Sequence, residues 1–239
     1  MPPPDSKPPN DSKAPSNLVY VYGVCHAAVA LPPWPQGFRG AVSPVVGGDI
    51  AAIAEAGLGL ESLGEDDPQL LNAVLSHDRV ICELAQRMTI LPMRFGIQLA
   101  SLDQLRQHLA SQGETYRARL TALANKAEFH LKLSPATTPL AALPDGLRGR
   151  EYFLAKKQRL QAQTSAQQQQ QTELATWLGH LQTTYPISVS DVQPGQTNVY
   201  LLLNRAEAAA LQRWVNQWQA QTTHWQTILS GPLPPYHFV

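Results

Sequence analysis

Between Ala127 and Ser230 the hydrophobic pattern alternates in a way that few folds accept. "AEFHLKLS" has the period of two of a half-exposed strand, and a helical stretch runs from about Arg150 to Thr183. "YPISVSDV" and "TNVYLLLN" are two strands joined by a turn at Pro194-Gly195. Asn204 with Glu207 has capping-box spacing and opens a helix that turns Leu211, Trp214, Val215 and Trp218 inward. "HWQTILS" is a last strand. The order β-α-β-β-α-β is that of a ferredoxin-like domain, a four-stranded antiparallel sheet with both helices on one face.

The first half is organised differently. "LVYVYGVCH" is a buried strand, and "AVSPVV" and "DIAAIAEAG" form a hairpin centred on Gly47-Gly48. Pro68 suits the first position of a helix. Leu70, Val74, His77, Ile81, Leu84 and Met88 then share one face. "MTILPMRF" reads as a strand returning to the sheet. Ser101 and Gln104 cap a further helix with Leu102, Leu105, Leu109, Tyr116, Leu120 and Leu123 inward. The fold class expected is α+β in two domains, an N-terminal α+β domain over residues 17–125 and a C-terminal ferredoxin-like domain over 126–239. Residues 1–16, rich in Pro, Ser, Asp and Lys, are expected to be a disordered leader. "QAQTSAQQQQQ" is expected to be an exposed part of the long helix that frays.

Composition excludes several functions. The 18 basic and 18 acidic residues cancel, so nothing predicts broad electrostatic capture of nucleic acid or of a membrane surface. Cys25 and Cys82 belong to no C-x-x-C pair, and no apolar run reaches the roughly 18 residues of a membrane span. A reduced cytoplasmic setting is the expectation. The chain holds no phosphate-binding glycine loop, nucleophile elbow or zinc-binding H-E-x-x-H, so no catalytic residue, metal or cofactor is assigned. His77 reads as a core histidine with a satisfied hydrogen bond. The run "RGREYFLAKKQR" clusters basic residues around two aromatics, which leaves an RNA- or anion-binding module as the alternative function.

Four separated segments, "LVYVYGV", "LLNAVLSHDRVICELAQRMTILPMRFG", "GREYFLAKK" and "GPLPPYHFV", resemble the gas vesicle protein GvpL/GvpF family in the right order across Leu18 to Val239. The proline-rich leader and the glutamine tract depart from its pattern. The resemblance implies a non-enzymatic accessory or minor structural protein of gas vesicles, the gas-filled shells that give aquatic microbes buoyancy. It also implies a part in assembly, binding to the hydrophobic major shell protein GvpA and possibly to other accessory proteins, and a two-domain architecture with a ferredoxin-like C-terminal domain. Candidate interface or structural residues are Pro92, Met93, Arg94 and Phe95 of "LPMRFG", with His77, and Tyr236 and Phe238 of the tail. Met93 and Phe95 are expected to share one strand face while Arg94 looks the other way. Arg94 would either pair with an acidic neighbour or serve an interface. The prolines of the tail favour an extended course that folds back onto its own chain and buries Tyr236 and Phe238.

Overall fold

The computed structural model describes residues 17–28, 33–60, 68–136, 146, 148–193 and 195–239. The leader, Pro194 of the second turn and most of the proline-rich loop after Ala136 lie outside them. The fold is mixed α+β, and the chain divides into two compact units between Ala124 and Asn125.

The first unit is built on an antiparallel sheet whose central strands are β1 (Val19–His26) and β3 (Ile50–Ala56), with β2 (Ser43–Gly47) beyond β3. β2 and β3 form the expected hairpin, but its loop is Gly48-Asp49, one residue later than the Gly-Gly pair, with Gly48 at φ +71°. Arg117 of a later helix holds the Asp49 carboxylate with two hydrogen bonds and keeps its pKa below the ordinary carboxylate value. α1 spans Pro68–Ala85. Its buried face is Ala73, His77, Val80, Ile81 and Leu84, whereas Val74 is 39% exposed and Leu71 and Leu75 more so. The expected stripe was therefore misphased in its first two turns, because α1 carries apolar side chains on more than one face.

Of the strand expected over "MTILPMRF" only β4 (Leu91–Pro92) forms, and β5 (Gln98–Leu99) follows past the turn, both against β1. Pro92 has no N–H to extend a ladder, and Gly96 turns the chain at φ +92°. α2 (Leu102–Leu123) starts at Ser101, whose hydroxyl accepts from Gln104 N at 3.1 Å. Leu105, Leu109, Leu120 and Leu123 are buried as expected, while Leu102 is exposed.

The two helices lie on opposite faces of the sheet. A Cβ at Gly47 would stand 2.6 Å from Leu109 Cβ, so α2 rests on the face of Gly47 and its partner Ile50. Glu55 is five residues from Ile50 and points the other way, toward the face of Tyr20, where His77 of α1 packs. Covered on both sides, β1 and β3 are buried almost throughout.

The second unit contains β6 (Lys126–Pro135), α3 (Gly149–Thr184), β7 (Ile187–Gln193), β8 (Gln196–Asn204), α4 (Ala208–Gln221) and β9 (Trp225–Leu233). Its strands are antiparallel in the order β7-β8-β6-β9. The capping box at Asn204 and Glu207 forms as expected and opens a 3-10 turn that leads into α4. Ala127, Phe129, Leu131 and Leu133 of β6, with Val199, Leu201 and Leu203 of β8, meet Trp177 and Leu181 of α3 and Leu211 and Val215 of α4 in one core. α3 is continuous through the glutamine tract, contrary to the expected fraying. Gln170, at its end, donates to His224 O at 2.9 Å, and glutamine suits the helix backbone throughout.

Candidate functional site

The segment "LPMRFG" is held by side chains from two elements. His77 Nε2 lies 3.0 Å from Met93 O, which can only accept, so Nε2 carries the proton and donates. Nδ1 is then the acceptor and receives the Tyr20 hydroxyl at 2.8 Å, while the Tyr20 oxygen accepts from Gly96 N at 3.3 Å. These three bonds form a circuit that begins at Gly96 and ends at Met93. Met93 N also donates to Tyr22 O, and Val21 N to Ile97 O. His77 stacks on Tyr22 at 5.5 Å and meets Tyr20 and Phe95 edge-on at 5.7 Å each.

Burial lowers the His77 pKa, and it lifts the Tyr20 hydroxyl to about 12 although the Gly96 N–H offsets part of the effect. Tyr22 is raised as well, by burial and by its bond to Glu55. With both ring nitrogens committed, His77 is a structural centre and has no free position for a substrate or metal.

The structure thus brings His77, Met93 and Phe95 together, with Pro92 buried in β4 beside them. Met93 takes part through its backbone and Phe95 through its ring, and the two lie in a turn after β4 in place of the expected strand. Arg94 is exposed at the tip and makes no ion pair with an acidic neighbour among the described residues. Tyr236 and Phe238 belong to the second unit, where Tyr236–Phe238 forms a 3-10 turn in place of an extended course. Pro234 and Pro235 are buried there, and Tyr236 and Phe238 only half-buried.

Two residues that the sequence reading passed over organise these regions. Glu55 is 2% exposed and accepts four hydrogen bonds, from Tyr22 OH at 2.6 Å and from the backbone N–H groups of Phe38, Arg39 and Gly40 at 2.6 to 2.9 Å. The loop wraps its carboxylate so closely that a Cβ at Gly37 would stand 2.2 Å from Oε2. Glu128, 1% exposed, does the same for the tail: His237 donates to it from N and from Nδ1, each at 2.8 Å. The His237 ring stacks on Tyr200 at 3.4 Å, and His130 on Tyr200 at 4.8 Å. The available signal was a lone acid inside each apolar run, "IAAIAEA" and "AEFHL". A buried, paired acid and a solvated one give the same pattern when the partners are distant in sequence.

Among the described residues no group of three or more histidines, cysteines, aspartates and glutamates could hold a metal ion, and no helix is long and apolar enough to cross a membrane. What the geometry builds is a set of clamps on exposed loops and a tail.

Residues 18–239 match the family described as "Gas vesicle synthesis protein GvpL/GvpF". The chain is 27% identical over 246 residues to "Gas vesicle protein F" of Streptomyces sp. (strain CB03234), covering 92% of this chain and 98% of that one. In structure it is similar to GvpF from Microcystis aeruginosa, with a TM-score of 0.68 at 14% identity over 93% of this chain and 98% of that one. It is also similar to GvpF from Anabaena sp. PCC7120, with a TM-score of 0.70 at 15% identity over 92% and 95% of the two chains. At such identities the structural likeness speaks for the fold.

Proposed function

The chain belongs to the gas vesicle synthesis protein GvpL/GvpF family, and from that premise we propose that it acts in gas vesicle formation as a non-enzymatic accessory or minor structural protein that binds the hydrophobic shell protein GvpA. The observation that carries this reading is a family match spanning residues 18–239. Exposed apolar side chains support it: Leu71 and Leu75 on α1 are 63% and 60% exposed, and Phe153 and Leu160 on α3 are 70% and 62% exposed. Such side chains suit a partner that must be kept from self-association during assembly. The second unit reads as a ferredoxin-like domain on its strand order and on both helices packing one face. A cytoplasmic location, on or near the vesicle, goes with this role.

The test is retention of purified major shell protein by the immobilised chain at low and at high salt. Retention that survives high salt is expected of an apolar contact. Binding only at low salt would favour the basic start of α3 and an anionic ligand, and no retention at either salt would overturn shell binding.

A further inference from the structure

The first turns of α3 carry a charge that the rest of the helix leaves unbalanced. Arg148, Arg150, Lys156, Lys157 and Arg159 stand against one acid, Glu151, and the next acid in the sequence is Glu173. All five cations are exposed, and none makes an ion pair among the described residues. The other helices of comparable length neutralise an arginine internally: Arg79 pairs with Glu83 in α1 at 3.2 Å, and Arg106 with Asp103 in α2 at 2.9 Å. In α3 no acid lies three or four residues from Arg150, Lys156, Lys157 or Arg159 in either direction, the only spacings at which helix neighbours meet. Their counter-charge is left to another molecule or to water.

The cations frame an apolar line. At about 100° per residue Phe153 and Leu160 lie along one side of α3, with Lys156 and Lys157 flanking them left and right, while Glu151 points the opposite way. Phe153 is 70% and Leu160 62% exposed. Two large apolar residues seven positions apart, about 10.5 Å along the axis, between rows of like charge make the half-seam that a second helix completes. The charge selects that helix. A second copy of α3 would bring the same cations against these and be repelled. A membrane surface calls for an apolar face that continues, whereas here the line goes on as exposed Gln167. A phosphate backbone would neutralise the cations and leave Leu160 in water. A helix with an apolar residue at every seventh position and acids on either side satisfies both the line and its flanks.

We propose that the exposed start of α3 is a docking surface for an acidic amphipathic helix of another protein, with Phe153 and Leu160 as its apolar anchors and Lys156 and Lys157 as its charge guides. The test titrates the full chain against a labelled synthetic helical peptide that has leucine at every seventh position and glutamates on either side, read by fluorescence anisotropy. A second peptide has the same composition in scrambled order, so that its leucines share no face. The ordered peptide is expected to bind at least about tenfold more tightly than the scrambled one, and more weakly as salt is raised. Lys156→Glu with Lys157→Glu, and separately Phe153→Ser with Leu160→Ser, should each weaken it at least about tenfold; all four positions are exposed, so circular dichroism should stay unchanged. Equal binding of the two peptides would reduce the cluster to a solvated face that takes any anion, and binding of neither would remove the site. Preferential capture of phosphatidylserine vesicles or of RNA, or a dimer in sedimentation that the Phe153→Ser, Leu160→Ser chain loses, would each give the surface to a different occupant and overturn the proposal. Shell-protein retention is measured separately, so the function proposed above and this docking surface can fail independently.

Discussion

The first unit covers its sheet with one helix on each face, whereas the second places both helices on one face and leaves the other to a short tail. In each, a glutamate on a central strand ties down a segment that could not hold itself. The difference lies in access to water. Glu55 stands between sheet and α1, and all four of its donors come from the protein. Glu128 is equally buried, but its partner His237, which donates to it twice, is 38% exposed at the side chain. A polar anchor inside a doubly covered sheet must be satisfied by the protein, while one under a strap is satisfied by a residue that itself reaches water.

Glu55→Ala should therefore be the most damaging change, leaving three backbone N–H groups and the Tyr22 hydroxyl without their acceptor. We expect a loss of about 3–5 kcal/mol by denaturant unfolding. Equal losses from Glu55→Ala and Glu128→Ala would break the comparison. Removing residues 234–239 should cost less, about 2 kcal/mol, and lower the melting temperature of the second unit by several degrees. A truncated chain that melts normally would mean that the strap is decorative.

His77→Leu is expected to cost a further, smaller amount, about 1–2 kcal/mol, and to speed amide exchange at Gly96 and Met93. The same residue predicts a pH dependence. Its folded pKa lies below the unfolded value of about 6.5, so the unfolded chain takes up the proton first. Stability should then be complete above pH about 6.5 and fall as the pH drops through the folded pKa. A slope that survives in His77→Leu would assign that fall to another group. Arg94→Ala, at an exposed tip, should change stability by less than about 0.5 kcal/mol. With stability intact, any loss of shell-protein retention would place Arg94 at the interface.

The alternation of periods in the second half was legible because each segment there has one buried face, and the caps at Ser101 and Asn204 announced their helices. α1 was legible as a helix but not in its phase, since Leu71, Val74 and Leu75 are as apolar as the residues that pack. The two glutamates were hidden for a different reason. Their meaning lies in partners 15 to 17 residues away for the Glu55 loop and 109 residues away for the tail, and periodicity carries no information about such pairs. Trp177 sits in a helix with few buried positions, so its neighbours gave no sign that it would stack between two elements.

Only the last part of α3 is packed; Gly149–Gln169 is exposed apart from Ala155, in a helix of 36 residues that spans about 54 Å. Counting residues along that free stretch is equivalent to setting an angle. Each residue inserted or deleted before Gln170 turns everything upstream by about 100° and shifts it by about 1.5 Å, while the core around Trp177 keeps its place. The run of five glutamines at its inner end can thus act as a dial, in which repeat length alone decides the direction in which Phe153 and Leu160 are presented.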